Sequence, residues 1–212
     1  MTQLGALRDG AAALGLAVSD LQADRLMAYG ALILKWNKVY NLTALRDPSQ
    51  VLTHHLLDSL AVVAPLRRER PGPSSLLDVG SGAGLPGAVI AIVRDDVEVS
   101  CLDAVAKKAA FVQQVAAELE LRNLRGVHGR VEAIAGRFDV VSSRAFASLH
   151  DFFVGSARLL EPGGVWMAMK GKTPTDELNA LPPGVDVFHV EQLAVPGLGA
   201  ERCLVWARPE AA

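Results

Sequence analysis

The stretch Leu76-Leu-Asp78-Val-Gly80-Ser-Gly82-Ala-Gly84-Leu-Pro86-Gly87 restricts the fold more than any other part of the chain. An apolar run enters a turn with glycines at alternate positions, and an apolar helical pattern leaves it. Glycine lets the backbone turn tightly and approach another group without a Cβ in the way. A strand, a glycine turn and a helix in this order open a doubly wound α/β sheet. The turn then lies at the carboxyl end of the first strand, where open sheets of this class bind ligands.

The rest of the chain after residue 74 continues the pattern. β-rich runs occur at 75–79, 97–102, 124–128, 138–142, 165–169, 185–190 and 203–207, and helical patterns at 86–93, 106–121, 148–160 and 175–181. Strands alternating with helices require crossover connections, hence a mostly parallel sheet, here of seven strands. The link between the last two runs is short and contains Pro196-Gly197, which suits an antiparallel pair at the sheet edge.

Residues 1–72 read as an N-terminal helical extension and 73–212 as the α/β domain, with Pro71-Gly72-Pro73 as the boundary. Ser19-Asp-Leu-Gln22 is a capping-box pattern. It is followed by a stripe of Leu26, Tyr29, Ile33, Trp36 and Tyr40 at helical spacing, a pattern that favours core packing over base stacking. A second helix opens at Asp47-Pro48, with Val51, Leu52, His55, Leu56, Ser59 and Val63 on one face.

The chemistry of the glycine turn separates two ligand classes. The dinucleotide fingerprint needs a third glycine where this chain has Leu85, and a pyrophosphate is disfavoured by a carboxylate as close as Asp78. S-adenosylmethionine (AdoMet) has no phosphate, and its methionine ammonium suits Asp78. Asp103 ends the second strand 19 residues after Gly84, where a carboxylate can accept both ribose hydroxyls. Glu132 follows the third strand, near the expected adenine. The expected fold is thus the Rossmann-like α/β type of AdoMet-dependent methyltransferases, with Asp78, Gly80, Gly82, Gly84 and Asp103 as cofactor residues.

Arg144 follows the fourth strand, over the expected methyl donor, where it can pair with an anion or donate to a guanine edge. Lys170 ends the fifth strand. The Asn/Asp-Pro-Pro-aromatic motif of many amino-group methyltransferases is absent, as is a Pro-Cys nucleophile. The five histidines have no metal spacing, so no metal is expected, and His54-His55 reads as an interface pair. Cys101 and Cys203 lie in apolar runs and read as buried free thiols. No stretch is long enough to span a bilayer, and no targeting segment is apparent; a cytoplasmic protein is expected. The net charge of −2 hides basic segments (1–72 and 104–172) between acidic ones (73–103 and 173–212), which permits a basic face.

Longer strings carry a resemblance: Lys35-Trp36-Asn37-Lys38-Val39-Tyr40-Asn41-Leu42-Thr43, His55-Leu-Leu-Asp58-Ser59, the glycine loop, Ser143-Arg144-Ala-Phe146-Ala-Ser148-Leu149 and Lys170-Gly171. With these the chain resembles the RsmG (GidB) family of bacterial 16S ribosomal RNA guanine-N7 methyltransferases, over residues 18–172. The resemblance implies AdoMet as donor, with cofactor contacts at Gly80, Leu85, Val131, Glu132 and Arg144. It also implies site residues at Asn41, His55 and Lys170, and 16S rRNA or a small-subunit precursor as partner; a monomer is expected. Ala104, Ala133 and Cys203 depart from residues frequent in that family (Ser, Glu and His). The chemistry agrees, because guanine N7 has a free lone pair and needs positioning rather than a general base. The competing expectations are an AdoMet enzyme for a small molecule or protein, and an NAD-dependent oxidoreductase.

Overall fold

The computed structural model describes residues 2–144 and 148–210, so Ala145, Phe146 and Ala147 of the Ser-Arg-Ala-Phe string lie outside the described residues. Seven strands form one sheet: β1 (Ser74–Val79), β2 (Val97–Asp103), β3 (Leu124–His128), β4 (Phe138–Arg144), β5 (Leu160–Lys170), β6 (Val185–Gln192) and β7 (Cys203–Pro209). Their order is β3-β2-β1-β4-β5-β7-β6. The first five strands are parallel, and β7 runs antiparallel between β5 and β6. The seven expected strands are therefore present, and the antiparallel pair lies at one edge with β6 outermost.

The N-terminal helices are α1 (Gln3–Ala13), α2 (Asp20–Tyr40), α3 (Pro48–Val51), α4 (Asp58–Leu60) and α5 (Val63–Glu69). The crossover helices are α6 (Gly87–Val93), α7 (Ala106–Glu118), α8 (Leu149–Ser156) and α9 (Thr175–Asn179). The capping box at Ser19 and Gln22 starts α2, and the Asp47 carboxylate caps α3.

Apolar side chains fill both faces of the sheet. One cluster joins α1, α2 and the helices after Asp47 to α6, α7 and the sheet. The other packs Phe152, Phe153 and Leu149 of α8 against Trp166 and Val141. Every residue of α6 is buried, because the N-terminal helices cover the side that would otherwise face water. This accounts for its all-apolar sequence, Gly-Ala-Val-Ile-Ala-Ile-Val. A Cβ on Gly87 would lie 2.5 Å from Cys101 Sγ, so only glycine lets α6 pack this close to β2.

Two sequence expectations need correction. Leu26, Tyr29 and Ile33 are fully buried, but Trp36 is half-buried and Tyr40 is 40 % exposed. The end of α2 outruns the core, and Asn37 turns inward there to bind the Leu45 carbonyl and the Thr43 N–H. The second helix is also not one amphipathic helix. A π-helical turn, Leu52–Leu57, separates α3 from α4, and most of Val51–Val63 is buried rather than one face of it.

Candidate functional site

The glycine loop is fixed from below. Asp78 is fully buried; its Oδ2 accepts the Gly87 N–H (2.9 Å) and its Oδ1 the Ser142 hydroxyl (3.0 Å). Burial pushes its pKa up to about 6, against these two bonds and the Arg144 charge. Asp78 thus braces the loop and lines neither cavity described below. Gly80, Gly82 and Gly84 have φ of 68°, 60° and 87°. A Cβ on Gly80 or Gly82 would meet nothing within 4 Å, whereas one on Gly84 would press on Val112 and Ala88. The first two face open space, and the third faces the core.

Asp103 closes the loop from the other side. Its Oδ2 accepts the Gly82 N–H and its Oδ1 the Val105 N–H, both at 2.9 Å. It borders a cavity of about 350 Å³ that includes Val131 and Glu132, which lie on a short 3₁₀ turn after β3. Gly80 separates this cavity from a larger one of about 500 Å³ at the ends of β4 and β5. Leu85, His55, Arg144 and Lys170 border the larger one.

Charge in the larger cavity centres on Asp58, at the start of α4 and 1 % exposed. Arg144 Nη1 donates to Asp58 Oδ2 at 3.1 Å and to the His54 carbonyl at 3.3 Å. Arg202 Nε donates to Asp58 Oδ1 at 2.7 Å. Lys170 Nζ is held by both oxygens of Glu177, at 3.0 and 2.8 Å.

His55 is neutral here. Its Nδ1 stands 3.0 Å from the His54 carbonyl, which can only accept, so Nδ1 carries the proton. Its Nε2 then accepts the Thr43 hydroxyl at 2.8 Å. Burial, with the Arg144 charge second, lowers its pKa to about 4. Asn41 ends α2 in the left-handed conformation, and its Oδ1 accepts from Arg46 at 3.0 Å. Asn41 does not border either cavity, but the following Leu42 and Thr43 border the larger one.

Sequence reasoning named Gly80, Gly82, Leu85, Asp103, Val131, Glu132, Arg144, Lys170 and His55, and the structure lines the two cavities with them. It missed Thr43, Asp58 and Arg202. The signal for Asp58 was a carboxylate inside an otherwise apolar helical run, where an unpaired charge is costly. Arg202, directly before the last strand, carried no pattern of its own. No group of His, Cys, Asp or Glu among the described residues could hold a metal ion, and none of their helices is long and apolar enough to cross a membrane.

The strand order, the glycine turn and the adjoining acidic strand end define the Rossmann-like fold of AdoMet-dependent methyltransferases. Solved structures share it: a SAM-dependent methyltransferase from Aquifex aeolicus (TM-score 0.59, 18 % identity, 79 % of this chain and 96 % of that one) and TrmN from Thermus thermophilus (TM-score 0.58, 18 % identity, 75 % and 53 %). A family model described as rRNA small subunit methyltransferase G matches residues 22–205, and the chain belongs to that family. Relatives named Ribosomal RNA small subunit methyltransferase G include those of Acidovorax sp. strain JS42 (62 % identical, covering 97 % of this chain and 95 % of the relative) and Polaromonas naphthalenivorans strain CJ2 (60 %, 96 % and 94 %).

Proposed function

We propose that this chain transfers a methyl group from AdoMet to N7 of a guanine in 16S ribosomal RNA. The observation that carries the reading is the pair of cavities meeting at Gly80, one beside a ribose-ready carboxylate and one beside two arginines. The residues fit the donor. Gly80 and Gly82 leave room along the loop, and Asp103 keeps lone pairs for ribose hydroxyls beside its two backbone bonds. Val131 and Glu132 would flank the adenine. Arg144 would meet the methionine carboxylate, and Asp78 would serve by shaping the loop.

When bound, AdoMet supplies an electrophilic methyl group. The chain's part is to place the acceptor in line with it and exclude water. A ring nitrogen with no proton needs no general base, which agrees with His55 being neutral and already engaged with Thr43. Lys170 and His55 stand at the acceptor end, where they would orient the base. Asn41 would act through the loop that presents Thr43.

The test supplies labelled AdoMet with deproteinised 16S rRNA and, separately, with small subunits, and maps 7-methylguanine in the product. Label at a single guanine N7 is the expected outcome. Absence of label from both substrates, with AdoMet bound, would overturn the reading.

A further inference from the structure

Asp58 divides its two oxygens between two arginines that come from different parts of the sheet. Arg144 ends β4, which pairs directly with β1, the strand that carries the glycine loop. Arg202 precedes β7, which lies three strands from β1 in the order β1-β4-β5-β7. With strands about 4.8 Å apart, the start of β7 stands roughly 14 Å across the sheet from the loop. The two guanidiniums thus come from strands at different distances from the loop and are bridged by one buried carboxylate.

Their bonding is also unequal to their capacity. Arg202 gives Nε to Asp58 and Nη1 to the Glu201 carbonyl, while its Nη2 has no partner among the described residues. Its side chain is 23 % exposed and borders the larger cavity. One carboxylate against two guanidiniums leaves one positive charge in excess within this cluster. Lys170 does not supply it, since Glu177 neutralises that ammonium.

We propose that Arg202 binds a backbone phosphate of the RNA beside the target guanine, and that Asp58 positions it there while steadying Arg144 at the donor end. This rests on the activity proposed above. A planar guanidinium with a free edge matches phosphate geometry, and its bond to Asp58 fixes the orientation of that edge in advance. Arg144, at the end of the strand that pairs with the loop-bearing β1, is the arginine placed for the donor's carboxylate, which leaves Arg202 for the RNA. Asp58, fully enclosed, is a positioning residue acting through both arginines.

The test measures three quantities on Arg202→Gln, Arg202→Lys and Asp58→Asn: AdoMet affinity by calorimetry, direct binding of 16S rRNA over a salt series, and the KM for RNA in methyl transfer. Arg202→Gln is expected to weaken RNA binding about tenfold, with AdoMet affinity unchanged. The slope of log affinity against log salt should fall by about 0.7, the loss of one phosphate contact to a single strand. Arg202→Lys should keep the slope and recover part of the affinity. Asp58→Asn should weaken RNA and AdoMet together. RNA binding and salt slope unchanged in Arg202→Gln would overturn the proposal, as would a fall in AdoMet affinity alone. Unfolding temperatures for each variant separate these effects from loss of fold. Failure of the unaltered chain to methylate rRNA would refute the activity and is read independently of the binding data.

Discussion

The Tyr29 hydroxyl donates to the Ala83 carbonyl at 2.6 Å, across 54 residues of chain. Tyr29 belongs to α2 and Ala83 to the glycine loop, so the helical extension holds the loop directly. Tyr29 is fully buried, and burial lifts its phenol pKa well above the usual 10, keeping it a donor. Tyr29→Phe removes this bond and little volume. The expected cost is about 1–2 kcal/mol in urea unfolding. Calorimetry should show a parallel weakening of AdoMet binding, which a bond remote from the site would not produce.

Two glycines of the loop region should respond differently to alanine. Gly87→Ala places a Cβ against Cys101 Sγ, Asp78 Oδ2 and Val99, all within 3.1 Å. Overpacking of this kind costs about 1–3 kcal/mol, and thermal unfolding should record it. Gly82→Ala enters open space at a φ of 60°, so its conformational cost is about 1–2 kcal/mol. Its larger effect should be loss of AdoMet affinity, because the added methyl occupies the ligand cleft.

Asp103 has two duties that substitution can separate. Asp103→Asn keeps one acceptor oxygen for the loop but loses the charge, and Asp103→Ala loses both. Charge-assisted bonds to ribose hydroxyls are worth about 1.5–3 kcal/mol each. Titration with AdoMet should therefore show at least about a tenfold loss in either variant. Both should lower the unfolding temperature, Asp103→Ala more, because Asn can still accept from one of the Gly82 and Val105 amides.

Stability should depend on pH through His55. Its pKa falls from the ordinary 6.5 to about 4 on folding, so between these values the unfolded chain binds the extra proton. Stability from this group is complete above pH 6.5 and is lost as pH falls toward 4, by up to about 1.4 kcal/mol per pH unit. Asp78 acts with the opposite sign below pH 6, because its folded pKa is raised. The comparison with His55→Gln isolates the histidine. The stability gap between the two proteins should narrow from pH 7 to pH 5 in urea titrations, and a constant gap would contradict the assignment.

Arg144→Ala should impair both fold and function. It takes one partner from the enclosed Asp58 carboxylate, though Arg202 remains, so a loss of about 1–3 kcal/mol is expected. AdoMet affinity should fall, and lysine should restore it poorly, because an ammonium cannot reproduce the planar fork.

The sheet was legible because each strand carried its own apolar run and each crossover its own helical period. The glycine loop was legible for the same local reason. What the sequence concealed depends on distant partners. Asp78 has the right residue type for an ammonium, yet Gly87 and Ser142 turn it inward. Tyr40 falls on the apolar stripe of α2, yet nothing packs beyond that turn. Asp58 and Arg202 are separated by 144 positions and become a pair only when β7 docks against β5. The π-turn at Leu52–Leu57 places the His54 carbonyl where Arg144 meets it, and no local propensity announces such a turn.

Strand β7 follows every other strand in the chain, yet it inserts between β5 and β6 instead of adding to an edge. Synthesis proceeds from the N-terminus, so a growing chain can form the loop, α6 and β4 while the far wall of the larger cavity is still missing. The wall of the larger cavity is therefore complete only when the final strand is in place and brings Arg202 to Asp58. Order of emergence, as well as geometry, separates a partly made chain from a working one.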